Sequence, residues 1–192
     1  MKCTSSTIIE DIDQRRRSGL ASLAFFYCDF GIDDKKCLRR LLSSLIVQFC
    51  RLSNSYSTIL SDFYSEHDNG SRHPSDQALI GCVKRILKQP RQPPIYIIID
   101  ALDECPDLSG MPSPREKALK FLEELVDLQL EILHICVTSR LEADIKDCLD
   151  RLPFYQVSLH TESGQVQDII DYARSVVNTD EKMESGGQRT CY

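Results

Sequence analysis

No C-x-x-C pair occurs among the nine cysteines, and none of the four histidines (67, 73, 134 and 160) stands at metal-ligand spacing to them, so no structural zinc site is expected. Most of the cysteines sit inside apolar segments, which suits reduced core thiols better than a disulfide framework. Neither a signal peptide nor an apolar run of membrane length is present, and the expectation is a soluble, cytoplasmic chain without a membrane partner. Basic runs are equally scarce. Arg15-Arg16-Arg17 is the one example, and the end of a helix accounts for it. With a net charge of −6 and a pI near 5.2, nucleic acid is not expected as a partner. No internal repeat is visible.

What is present is enough for one ordinary domain: 192 residues, 42% of them hydrophobic. The most informative stretch is Ile95-Tyr96-Ile97-Ile98-Ile99-Asp100-Ala101-Leu102-Asp103-Glu104-Cys105. Four of its first five residues are isoleucine with no polar alternation, which predicts a strand covered on both faces, as in a parallel sheet flanked by helices. Carboxylates at the carboxyl end of such a strand lie where open α/β sheets bind ligands. Asp100, Asp103 and Glu104 crowd within five residues, and their repulsion favours a Mg²⁺ ion among them. A phosphatase of the haloacid dehalogenase type also uses strand-end Asp but wants D-x-D, and Asp100-Ala101-Leu102-Asp103 has the wrong spacing.

Around that strand the pattern alternates between helix and strand. Thr4 to Arg17 reads as a helix stopped by Ser18-Gly19. Leu20 to Tyr27 reads as a buried strand. Leu38, Leu41, Leu42, Leu45, Ile46 and Phe49 define a helix over 35–52, a shorter one spans about 56–65, and His67 to Pro74 is a polar loop whose histidines are solvated. Ser75 opens a further helix. Ser113-Pro114-Arg115-Glu116 is a capping box with proline at the first helical position, predicting a helix over 114–129. A strand over 132–137 ends in Thr138-Ser139-Arg140, where Arg140 either faces the ligand crevice or pairs with Glu142 or Asp144. A short helix over 142–149, a strand at Phe154 to Leu159 and a helix over 164–177 complete the series, and Glu184 to Tyr192 reads as a disordered tail. The alternation implies an α/β fold with a parallel sheet and right-handed crossovers.

These residues carry a resemblance. The segment from Ile95 to Cys105 resembles the Walker B motif of the NACHT family of signal-transduction ATPases of the STAND class, in particular the fungal nephrocystin-like N-terminal module. Asp100, Ala101 and Asp103 match its metal-binding acid, the small residue after it and the second acid. Val137-Thr138-Ser139-Arg140 is similar to the family's sensor segment. Phe25-Phe26-Tyr27-Cys28-Asp29-Phe30 and Ser43-Ser44-Leu45-Ile46-Val47-Gln48 look like its second strand and following helix. The resemblance covers residues 4–183 as one NTPase-like domain. It implies Mg²⁺ held through Asp100, ATP or GTP as the nucleotide, catalytic roles for Asp103 and Glu104, Arg140 facing the terminal phosphate, and protein partners or self-association in signalling.

One element of the family is missing. No glycine precedes Gly19, and no G-x-x-x-x-G-K-[ST] loop occurs anywhere in the chain. Losing three charge-assisted hydrogen bonds at roughly 1.5–3 kcal/mol each would abolish a micromolar site worth about 8 kcal/mol. The expectation is therefore an N-terminally truncated switch domain with weak or no nucleotide hydrolysis, lacking the P-loop strand that the resemblance places between 132–137 and 154–159. The alternative is a non-catalytic protein-interaction module derived from such a domain.

Overall fold

The computed structural model describes residues 4–29, 37–107, 112–140 and 142–153. The strand expected at Phe154 to Leu159, the helix over 164–177 and the 184–192 tail lie outside the described residues.

Three strands form one parallel sheet in the order β1-β2-β3: β1 Ser22–Tyr27, β2 Ile95–Asp100 and β3 Leu133–Val137. The isoleucine strand is the central one, with Ile98 opposite Phe25 on one side and Cys136 on the other. Ile95 to Ile99 are all buried, as their unbroken apolar run requires. Successive side chains point to opposite faces. Ile95, Ile97 and Ile99 enter a large core with α2 (Cys37–Cys50), α3 (Asn54–Glu66), α4 (Asp76–Leu87) and α5 (Pro114–Val126), whereas Tyr96 and Ile98 enter a small one with Ala21, Leu23 and Ile12 of α1 (Thr4–Arg17). Tyr96 stacks on His134 with ring centroids 4.7 Å apart, which makes it a core residue.

The helix ends follow the local signals. After α1, Gly19 is left-handed at φ 75° and the N–H groups of Gly19 and Leu20 donate to the carbonyls of Arg16 and Arg15, a Schellman closure. Ser75 caps α4 by accepting from the Ala78 N–H. At α5 the capping box is complete: Ser113 Oγ accepts from the Glu116 N–H and Glu116 accepts from the Ser113 N–H. The polar stretch 67–74 holds a single-turn 3₁₀ helix, Asp68–Gly70. His67 is half-buried there rather than solvated, because its ring packs 4.4 Å from Phe63 and its Nδ1 lies 2.8 Å from the Phe63 carbonyl; His73 is exposed.

The outer edge of β1 is occupied by a side chain. Gln48 of α2 donates through Nε2 to the Phe25 carbonyl at 2.7 Å and accepts through Oε1 from the Phe25 N–H at 3.0 Å. One side-chain amide thus makes the two bonds that a neighbouring strand would make. Five described cysteines (28, 50, 82, 136 and 148) are free, as expected, but Cys37 and Cys105 form a disulfide across a sequence separation of 68. Spacing rules see only local pairs, and this pair is made by tertiary approach. Among the described residues no helix is long and apolar enough to cross a membrane.

Candidate functional site at the carboxyl ends of β2 and β3

Asp100 is the last residue of β2, and the chain turns sharply after it. Ala101 adopts a left-handed conformation (φ 55°, ψ 50°), then Leu102–Glu104 form one 3₁₀ turn. A left-handed non-glycine residue costs roughly 1–2 kcal/mol and persists only where its surroundings hold it. Here they do. Thr138, just beyond β3, accepts from the Ala101 N–H at 2.9 Å through Oγ1, donates that hydroxyl to Asp100 Oδ1 at 2.5 Å, and accepts from the Leu102 N–H at 2.9 Å through its carbonyl. On the other side the Cys28 N–H, at the end of β1, donates to the Asp100 carbonyl at 2.9 Å.

The turn sends Asp103 back toward β3. Its Oδ1 accepts from the Arg140 N–H at 2.9 Å and its Oδ2 lies 3.4 Å from Arg140 Nε. Asp103 is buried at 8% exposure while the Arg140 side chain is 81% exposed, so the carboxylate is fixed and the guanidinium is in solvent. Among the described residues the acid that meets Arg140 is thus Asp103 and not Glu142 or Asp144. Asp144, on α6 (Ala143–Leu149), instead meets Arg115 at 3.3 Å.

Arg115 is a contributor that pattern reading did not single out, because its cap sequence explained it. It is 8% exposed and donates to the carbonyl of Asp103 at 2.7 Å and to that of Cys105 at 2.9 Å, gripping the acidic turn from beneath. Thr138 was likewise only part of a strand end. The polar Thr138-Ser139-Arg140 run at the end of an apolar strand was the available signal.

Electrostatically the strand end is acidic. Burial, then the carboxylates of Glu104, Asp100 and Asp103, push the Cys28 thiol up to about 12, and burial followed by Asp100 raises Cys136. Both thiols stay protonated at neutral pH. The three acids do not gather around one point as crowding suggested: among the described residues no three His, Cys, Asp or Glu side chains form a metal cage. Asp103 is committed to Arg140. Asp100, half-buried and joined to the Thr138 hydroxyl, offers a hard oxygen donor. That donor set suits a Mg²⁺ ion that keeps several waters and takes one or two carboxylates plus phosphate oxygens.

A parallel sheet flanked by helices makes this an α/β domain, and its carboxyl edge gathers an acid, an acid–arginine pair and a hydroxyl. Residues 3–140, well over half of the chain, match the family model described as Nephrocystin 3, N-terminal, and the chain belongs to that family. The match takes in Asp100, Asp103, Glu104 and Arg140. No curated protein and no solved structure matches the chain significantly.

Proposed function

We propose that this chain is a NACHT-like nucleotide-switch domain of signal transduction, of the P-loop NTPase class, retaining its Walker B and sensor segments and weak or inactive in hydrolysis. The observation that supports it most is the coupling of the two strand ends, in which Thr138 binds Asp100 while Asp103 binds Arg140. In this reading Asp100 would hold Mg²⁺, Asp103 with Glu104 would orient the attacking water, and Arg140 would sense the terminal phosphate of ATP or GTP. The metal would supply charge neutralisation on the phosphates. Phosphate contact would pull Arg140 from Asp103, so occupancy would be felt directly at the acidic turn. A cytoplasmic role with protein partners or self-association follows from the same reading, and the resemblance to fungal modules points to signalling in self/non-self recognition.

A second reading, a non-catalytic interaction module, draws support from two observations. Asp103 and Arg140 already satisfy each other, and large apolar side chains are exposed on packed neighbours, Tyr27 of β1 (45%) and Val47 of α2 (46%). The discriminating experiment is Mg²⁺-dependent binding of a fluorescent ATP or GTP analogue to the chain and to Asp100→Asn. Micromolar binding weakened about tenfold or more by Asp100→Asn supports the switch. No saturable binding up to about 1 mM nucleotide, from a chain shown to be folded, overturns it and leaves the interaction module.

A further inference from the structure

Cys37 opens α2 and Cys105 directly follows the Asp103-Glu104 pair, yet their Cα atoms are 6.3 Å apart. We propose that Cys37 and Cys105 form a reversible thiol–disulfide site that latches the acidic turn to the start of α2. The separation lies within the range a disulfide spans without backbone movement. The turn is already held from one direction by Arg115, whose guanidinium takes the Asp103 and Cys105 carbonyls. The Cys105 sulfur supplies the second tether, to a different element. Oxidation adds the second tether to the segment that carries Asp103 and Glu104, and reduction leaves only that of Arg115.

The pair is also selective. Among the described cysteines it is the pair within bonding distance, while Cys28, Cys50, Cys82, Cys136 and Cys148 stand free. Among the described residues, five free thiols beside one bond do not resemble the fully paired framework of a small secreted fold, whose bridges are permanent. The large core, in which both cysteines sit, is otherwise packed from apolar side chains of α2, α3, α4, α5 and the sheet.

The oxidant we assign is a low-molecular-weight disulfide such as glutathione disulfide. Cys37 is the less buried partner, at 9% against 1% for Cys105, and meets it first. Its thiolate attacks one glutathione sulfur, breaking the glutathione S–S bond, forming a mixed disulfide and releasing one glutathione thiolate. The Cys105 thiolate then attacks the Cys37 sulfur and expels the second. Two protein thiols lose two electrons, glutathione disulfide gains them, and the two thiol protons end on two glutathione molecules.

The test treats the full chain with glutathione disulfide or with dithiothreitol, blocks thiols with N-ethylmaleimide in denaturant, and reads intact mass and disulfide-linked peptides. Of nine cysteines, the oxidised chain is expected to take seven labels and the reduced chain nine, with the link mapping to Cys37–Cys105. Hydrogen exchange of the wild-type chain in both states is the second readout, and amides from Ala101 to Cys105 are expected to exchange at least about threefold more slowly when oxidised. Cys37→Ser should remove that difference. Nine labels after oxidation, a link mapping to another pair, or a link that leaves exchange of the turn unchanged would each overturn the latch. None of these readouts depends on nucleotide binding.

Discussion

Among the described residues the two faces of the sheet are covered differently although one strand feeds both. Ile97 and Ile98 are neighbours with the same side chain and essentially the same burial, 0% and 1% exposed, but Ile97 joins a core enclosed by α2, α4 and α5, and Ile98 one covered by α1. On the large face Leu41, Leu42, Leu45, Phe49, Ile86, Phe121 and Leu125 are all sealed. On the small face Ile8 and Ile9 are only half-buried beside Ile12. Burial of a single residue therefore says little about how completely its neighbours are enclosed.

The sharpest test of that contrast is truncation of the two isoleucines. Ile97→Ala should cost about 3–5 kcal/mol in urea unfolding, because the packed helices of the large face relax little around the void. Ile98→Ala should cost nearer 2–3 kcal/mol, because α1 can settle inward. Equal costs would show that α1 is held as firmly as the other cover.

The next effect concerns how the covering helices are anchored. On the large face α5 begins with a reciprocal cap in which Ser113 is 4% exposed. Ser113→Ala should lower stability by about 1 kcal/mol, measured by thermal or urea unfolding, with Ser113→Thr restoring most of it.

On the small face α1 closes with surface ion pairs inside its own last turn, Asp13 with Arg16 at 2.6 Å and with Arg17 at 2.9 Å. The hydrogen bond from Arg16 is the largest influence holding the Asp13 carboxyl below its ordinary value of 3.8. A carboxyl lowered in the folded state contributes stability that is complete above its unfolded value and is lost as pH falls through its folded value. Asp13→Asn should therefore lower stability by about 0.3–0.5 kcal/mol at pH 7 and make no difference near pH 2, read from urea midpoints at the two pH values.

The repetitive parts of this molecule were legible in the sequence, and the bent parts were not. The stripe from Leu38 to Phe49, the capping box at Ser113 and the isoleucine run each encode their structure within a few residues, and each forms as the pattern requires. Asp100 could be placed at a strand end for the same reason. The partners of the acidic turn could not, because they depend on the left-handed Ala101, which redirects the chain so that Asp103 meets Arg140, and on residues far away in sequence. Periodicity carries no information about which remote group closes such a turn. Thr138, Arg115 and the Cys37–Cys105 bridge became visible only once β2, β3, α5 and α2 were packed together.

Gln48 has a meaning beyond this one domain. A β-sheet is a polymer that grows by adding strands at an open edge, and a growing polymer is stopped by a unit that can bond once and offers nothing to the next. With its two amide bonds to Phe25, Gln48 is such a chain terminator on the β1 side. Any assembly of this protein by strand addition there must first displace a side chain that is already in place, with no cost of bringing it from solution.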